Sequence, residues 1–209
     1  MTMLTAAELQ QRVKSGETLS DLTLDGLDLQ GCDLSGGIFQ DISFCDVNLR
    51  HTNMKEAVFT ECLFKQADLR GARLEQTLFI QCEMDNVDAT ETVLNECIFN
   101  KCSLTASRFA GGEIQATQFL TCELENSQFD AAKIERSVFF ESNLNNARFT
   151  ACPALLTTFY ASDLRATEFE RTTFERAVFF NCDQRGKNYS RQGFTGCQFT
   201  DNQLDEVNF

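Results

Sequence analysis

From Leu19 to Phe209 nearly every fifth residue is apolar, and the positions between are mostly polar or small. The series begins Leu19, Leu24, Leu29, Leu34, Phe39, Phe44, Leu49 and Met54, runs without insertion to Phe179, and resumes in register at Tyr189. Of the chain's 20 phenylalanines only Phe140 and Phe180 lie off it, so the period places the core. Ala89, Ala154 and Gln184 are its weak positions. A period of five matches neither the 3.6 of a helix nor the 2 of a strand. It calls for a backbone that turns a corner every five residues.

Two residues before each central position the chain is again regular. Cys32, Ile42, Val47, Thr52, Ala57, Cys62, Ala67, Ala72, Thr77, Cys82 and Val87 are nearly all small. This A/C/S/T/V-x-L/F-x-x pattern resembles the pentapeptide-repeat family, and the resemblance covers residues 17–209. It implies an all-β fold, a right-handed four-sided parallel β-solenoid with one coil per four pentapeptides. The residues agree on physical grounds. A square coil stacks residues twenty apart at one strand separation, about 4.8 Å. Sorted that way, Phe39, Phe59, Phe79, Phe99, Phe119, Phe139, Phe159, Phe179 and Phe199 form one internal column. Gly26, Gly31, Gly36, Gly71, Gly111, Gly186 and Gly196 stand two after a centre, where a type II corner wants positive φ. The single proline, Pro153, suits a ladder that needs its N–H groups.

The ends differ from the middle. Residues 1–16 are expected to form a capping helix: Thr5 and Glu8 make a capping box, Leu4 and Leu9 a staple, and Gly16 a stop. Residues 17–183 form the regular solenoid, a rod roughly 45 Å long with the last coil included. Residues 184–209 are expected to be a degenerate last coil. There Gln184 makes an inward position polar, and Lys187 and Gln192 take corners otherwise kept for small residues. Phe194, Phe199, Leu204 and Phe209 then restore the pattern. A two-fold contact through this end would cover an open coil, and the resemblance implies a homodimer of that kind, since quinolone-resistance members pair tail to tail.

Charge and exposed side chains mark two faces. The formal net charge is −13. The face after the phenylalanine column carries Asp25, Asp46, Glu83, Asp85, Glu123, Glu125, Asp163, Asp183, Asp205 and Glu206 against Lys65, Arg165 and Arg185. The phenylalanine face itself shows an apolar outer surface: Ile38, Val58, Leu78 and Ile98 in one column, and Ile80, Leu120, Phe140, Tyr160 and Phe180 in its neighbour. An apolar strip of that length marks a partner or self-association surface. Nine of the 10 cysteines fall on inward corners, where cysteine acts as a small hydrophobe, and Cys45 alone is expected to face solvent.

Chemistry is scarce. The one histidine, His51, sits on an outward corner, and no C-x-x-C, phosphate loop or zinc-type spacing occurs. A core packed with Phe and Leu leaves no interior pocket. The expectation is a non-enzymatic, cofactor-free, cytoplasmic scaffold with neither signal peptide nor membrane span, repelling nucleic acid and binding protein. The resemblance to quinolone-resistance members implies an acidic DNA mimic that binds a type II topoisomerase (gyrase) through Glu83, Asp85, Glu123, Glu125 and Asp163. Many of those members interrupt their coils with loops; this chain has none between Leu19 and Phe179. The alternative is a structural adaptor in a bacterial complex, for example a secretion-associated one, binding through the apolar face.

Overall fold

The computed structural model describes residues 4–189 and 193–209; Gln192 lies outside them. A short helix, α1 (Ala6–Lys14), leads into a parallel β-solenoid. Strands of three residues, Thr18–Ser20, Ile38–Gln40, Val58–Thr60 and so on to Gln198–Thr200, recur once per coil in a ten-stranded sheet. Its register is twenty throughout: Phe39 lies beside Phe59, Phe79 beside Phe99, and Phe179 beside Phe199. The phenylalanine column is therefore one stack, with rings 4.9 Å apart between Phe79 and Phe99 and 5.0 Å between Phe99 and Phe119. A second aromatic column (Phe109, Phe129, Phe149) meets it edge to face. Such pairs add about 0.5–1.5 kcal/mol each beyond area burial.

The residue two after a centre is left-handed at coil after coil. Glycines hold φ near +65°, for example 66° at Gly36 and 67° at Gly111. Glu56, Gln76, Arg136 and Leu156 hold the same conformation with φ from 52° to 60°. The interlocking ladder thus enforces on ordinary residues a conformation that costs them local energy.

Corners come in two kinds, which the sequence reading did not separate. At a closed corner the N–H three residues after a centre donates back to the centre's carbonyl, as Ala67 does to Phe64 (2.9 Å) and Ala147 to Leu144 (3.0 Å). After the phenylalanine column that bond is absent and the corner is open. There the centre's carbonyl joins the ladder to the next coil's strand, and the small residue of that coil adds a second donor. Cys82 Sγ donates to the Phe59 carbonyl (3.5 Å), Cys122 Sγ to Phe99 (3.4 Å), and Ser142 Oγ to Phe119 (3.3 Å). Several of these side chains also accept the freed N–H, Cys122 N donating to Ser142 Oγ (3.1 Å) and Ser142 N to Ser162 Oγ (3.3 Å). A hydroxyl or thiol in that column is therefore a hydrogen-bonding part of the corner as well as a small one. The corner before the phenylalanine face changes from closed to open at Cys97. From there a second, five-stranded sheet appears on the preceding side, beginning at Glu113–Gln115 and ending at Gly193–Thr195.

The helix closes the first coil. Its capping box is complete, and Leu9 and Val13 are buried against the solenoid. Gly16 N donates to Val13 O (2.9 Å) and Glu17 N to Arg12 O (3.2 Å), a full Schellman ending. Gln10 Oε1 accepts the N–H of Asp33 (2.8 Å), a first-coil donor with no preceding coil to pair with. At the other end Phe194, Phe199 and Leu204 are half-buried and Phe209 is exposed. The polar residues of this region are drawn inside. Gln184 is fully buried and accepts from the Tyr189 hydroxyl (2.8 Å), while Lys187 Nζ donates to the Thr167 carbonyl and lies 5.5 Å from the Phe169 ring.

Candidate protein-binding faces

The acidic face is built of two outward columns, because the residues on either side of each inward centre point the same way. In one, Glu83, Ser103, Glu123, Asn143, Asp163 and Asp183 are successive rungs. In the other stand Lys65, Asp85, Thr105, Glu125, Asn145, Arg165 and Arg185. Glu83, Asp85, Glu123 and Glu125 come together within three rungs, roughly 10 Å of rod. Within that cluster Lys65 pairs with Glu83 (2.5 Å), which raises the lysine's pKa. Asp85, Glu123 and Glu125 form no ion pair among the described residues. Instead Asp85 Oδ1 accepts from Ser103 Oγ and Thr105 N (3.1 Å), and Glu123 accepts from Asn143 (3.0 Å).

Asp163 belongs to a different environment. Arg165 forks onto it (2.6 Å) and reaches Asp183 (3.4 Å), which Arg185 also binds (2.6 Å). These guanidinium hydrogen bonds hold the Asp163 and Asp183 carboxyls below the usual range. The face is therefore strongly negative at mid-rod and close to neutral at the Asp163–Arg165 and Asp183–Arg185 rungs. The signal for this was present as D-L-R and D-Q-R: acid and base two apart flank one inward residue and meet outside, as Asp68 and Arg70 do on the next face (2.5 Å).

The apolar strip is more recessed than its sequence implied. Leu120, Phe140, Tyr160 and Phe180 line up on adjacent coils, with Ile80 beyond Asn100 in the same column, but each of the five is half-buried. Phe140 stacks on Tyr160 (4.8 Å) and Tyr160 on Phe180 (5.2 Å), so the rings cover one another and leave their outer edges to solvent. Ile38, in the companion column, is one of the few exposed large apolar residues among those described.

The cysteines follow the corners. Cys62, Cys82, Cys102 and Cys122 are buried on successive coils and donate to ladder carbonyls. Burial pushes Cys97 and Cys152 up to about 12 and Cys182 up to about 11. Cys197 departs from the expectation of an enclosed corner: it lies in the terminal coil and is half-exposed, as is Cys45. Among the described residues no three His, Cys, Asp or Glu side chains are placed to hold a metal ion, and no helix is long and apolar enough to cross a membrane.

Comparison with known proteins bears on the fold. The family model for a pentapeptide repeat region matches residues 72–149, and that for pentapeptide repeats (8 copies) matches 28–66 and 43–81. No curated protein matches the chain. Among solved structures, HetL, a pentapeptide repeat protein involved in heterocyst differentiation regulation from the cyanobacterium Nostoc sp. strain PCC 7120, aligns with a TM-score of 0.61 at 17% identity, over 98% of this chain and 94% of its own. QnrB1, a plasmid-mediated fluoroquinolone resistance protein, aligns with a TM-score of 0.67 at 14% identity, over 87% and 93%. At such identities the likeness is one of fold. With the two models together spanning residues 28–149 and the same coil repeated beyond them, the chain belongs to the pentapeptide-repeat family.

Proposed function

We propose that this chain is a protein-binding rod whose mid-rod acidic face occupies a basic, DNA-binding surface of its partner, with a type II topoisomerase such as gyrase as the first candidate. The observation that carries this reading is the cluster Glu83, Asp85, Glu123 and Glu125, three of them without a cationic partner among the described residues, on a rod without interrupting loops. Rungs about 4.8 Å apart do not copy phosphates, which fall every 1.7 Å or so along the duplex axis, so only the negative potential is imitated. The shared fold with a fluoroquinolone resistance protein supports the choice of candidate. Tail-to-tail pairing through Phe194, Phe199, Leu204 and Phe209 fits their partial exposure and would extend the rod without covering the acidic face.

The test is binding of purified gyrase to the full chain, measured against salt and against competing duplex DNA. Reversal of Glu83, Asp85, Glu123 and Glu125 to lysine should abolish binding, whereas Asp163→Asn, already neutralised by Arg165, should leave it nearly unchanged. Wild-type binding should weaken steeply with salt, because contacts between exposed charges are screened within about 8 Å at physiological ionic strength. Binding that survives the quadruple reversal would overturn the reading. A second reading, an adaptor that binds through the apolar strip, is favoured by the outer stack of Phe140, Tyr160 and Phe180; loss of partner binding on Tyr160→Ser with no salt dependence would select it.

A further inference from the structure

The edges of the phenylalanine face carry a pattern that its centre does not explain. In each coil this face runs from a corner residue, across two outward side chains, to a second corner residue. From coil to coil the two corners read Glu96 and Lys101, Ala116 and Thr121, Arg136 and Glu141, Leu156 and Ala161, Arg176 and Asn181. Wherever both corners are charged over this stretch, the signs are opposite. Between them lie Ile98 and Asn100, Gln118 and Leu120, Val138 and Phe140, Thr158 and Tyr160, Val178 and Phe180. Leu156, at one edge, is a large apolar side chain that remains exposed.

We propose that two copies of this chain associate side by side through this face, related by a two-fold axis parallel to the rod. That operation keeps each coil at its own height and exchanges the two edges. Arg136 then meets the partner's Glu141, and Glu96 meets the partner's Lys101, each contact occurring twice. Val138 and Val178 lie against the partner's Phe140 and Phe180, and Leu156 covers Ala161. A two-fold axis perpendicular to the rod and centred on the aromatic strip would instead set Arg136 against Arg176. The charges are available: Arg136 has only a surface pair with Glu135 (3.1 Å), a kind that contributes little, and Lys101 and Glu141 form no ion pair among the described residues.

The contact is small. Five coils at about 4.8 Å give a footprint well below the roughly 800 Å² per partner of a stable complex, so the association is weak and concentration-dependent. Above the strip Glu56 would stand opposite Glu61, which weakens it further and makes it stronger in salt only until the Arg136–Glu141 contacts are screened in turn.

Sedimentation velocity on the full chain over a wide concentration range tests this, with circular dichroism to confirm folding. Glutamate already occupies the left-handed corner at Glu141 and arginine at Arg136, so exchanging them keeps each corner's conformation tolerated. Arg136→Glu should weaken association by about tenfold or more, since like charges then face each other twice. The double exchange Arg136→Glu with Glu141→Arg should restore it to within about threefold. A chain that stays monomeric throughout, association indifferent to Arg136→Glu, or loss that the double exchange does not repair would each overturn the proposal. So would association abolished by Phe209→Asp and untouched by Arg136→Glu, which would assign pairing to the end of the rod.

Discussion

Replacing one buried serine by alanine should cost more at an open corner than at a closed one. Ser142 and Ser127 are chemically the same and almost equally buried, at 2% and 0% exposed. At Ser127 the Leu124 carbonyl already accepts from the backbone N–H of Ser127 (3.1 Å), and the hydroxyl adds a second bond to the same oxygen (2.7 Å). At Ser142 the hydroxyl donates to Phe119 O (3.3 Å) and Phe140 O (3.0 Å) and accepts from Cys122 N (3.1 Å). Ser142→Ala therefore strands the buried N–H of Cys122, while the Phe140 carbonyl keeps its bond from Thr121 N (2.8 Å) and the Phe119 carbonyl its place in the ladder. One unsatisfied buried group costs about 1–3 kcal/mol, and the loss should fall in that range. Ser127→Ala leaves its carbonyl satisfied and should stay below about 1 kcal/mol. The assay is equilibrium denaturation in guanidinium, with the wild-type slope checked in each variant, because a repeat rod can unfold in parts. Equal losses in the two variants would refute the distinction between corners. The same measurement on Ser142→Cys separates hydrogen bonding from size: cysteine fits this column at Cys122 and Cys182, but its sulfur is a weak acceptor for the Cys122 N–H, so only part of the stability should return.

The fivefold period made the fold legible because every coil repeats the same demand, an inward Phe or Leu over a small corner. What the period could not separate was the corner type. Closed and open corners share one residue spacing and one left-handed position, and differ in whether the centre's carbonyl accepts from its own corner or from the next coil's strand. A trace of that difference is visible in the column Cys62, Cys82, Cys102, Cys122, Ser142, Ser162, Cys182, which is all donors, against Val47 and Ala67 at closed corners of the next face. The trace is blurred because Thr52, at a closed corner, also donates to a carbonyl of the coil above (2.9 Å). The acidic face was legible as a count of charges but not as a distribution. Outward residues two apart meet across one inward centre, so Arg165 cancels Asp163 locally while Glu123 and Glu125 remain together. The inward turn of Lys187 had no signal, since a lysine at a small corner would be expected to push out toward solvent.

Two predictions remain. Thiol reagent on the native chain should label Cys45 and Cys197 promptly and the other eight only on unfolding, read by mass spectrometry; fast labelling of Cys82 or Cys102 would count against their burial. The last concerns pH. Burial brings the Lys187 amine down to about 8, against the opposing pull of Glu168 and Asp163, while in the unfolded chain it stays near its ordinary 10.5. Between those values the unfolded state binds more protons, so unfolding free energy should rise with pH from about 8 to 10.5, and protonation below that range should work against the folded coil. Lys187→Met keeps the buried chain and removes the titration. The difference in stability between wild type and Lys187→Met should therefore shift in favour of the wild type as pH is raised through this window, with Tyr189 and the thiols titrating alike in both. A difference that stays flat from pH 7 to 10.5 would mean that the amine reaches water in the folded chain and that its contact with the Thr167 carbonyl is not what holds it.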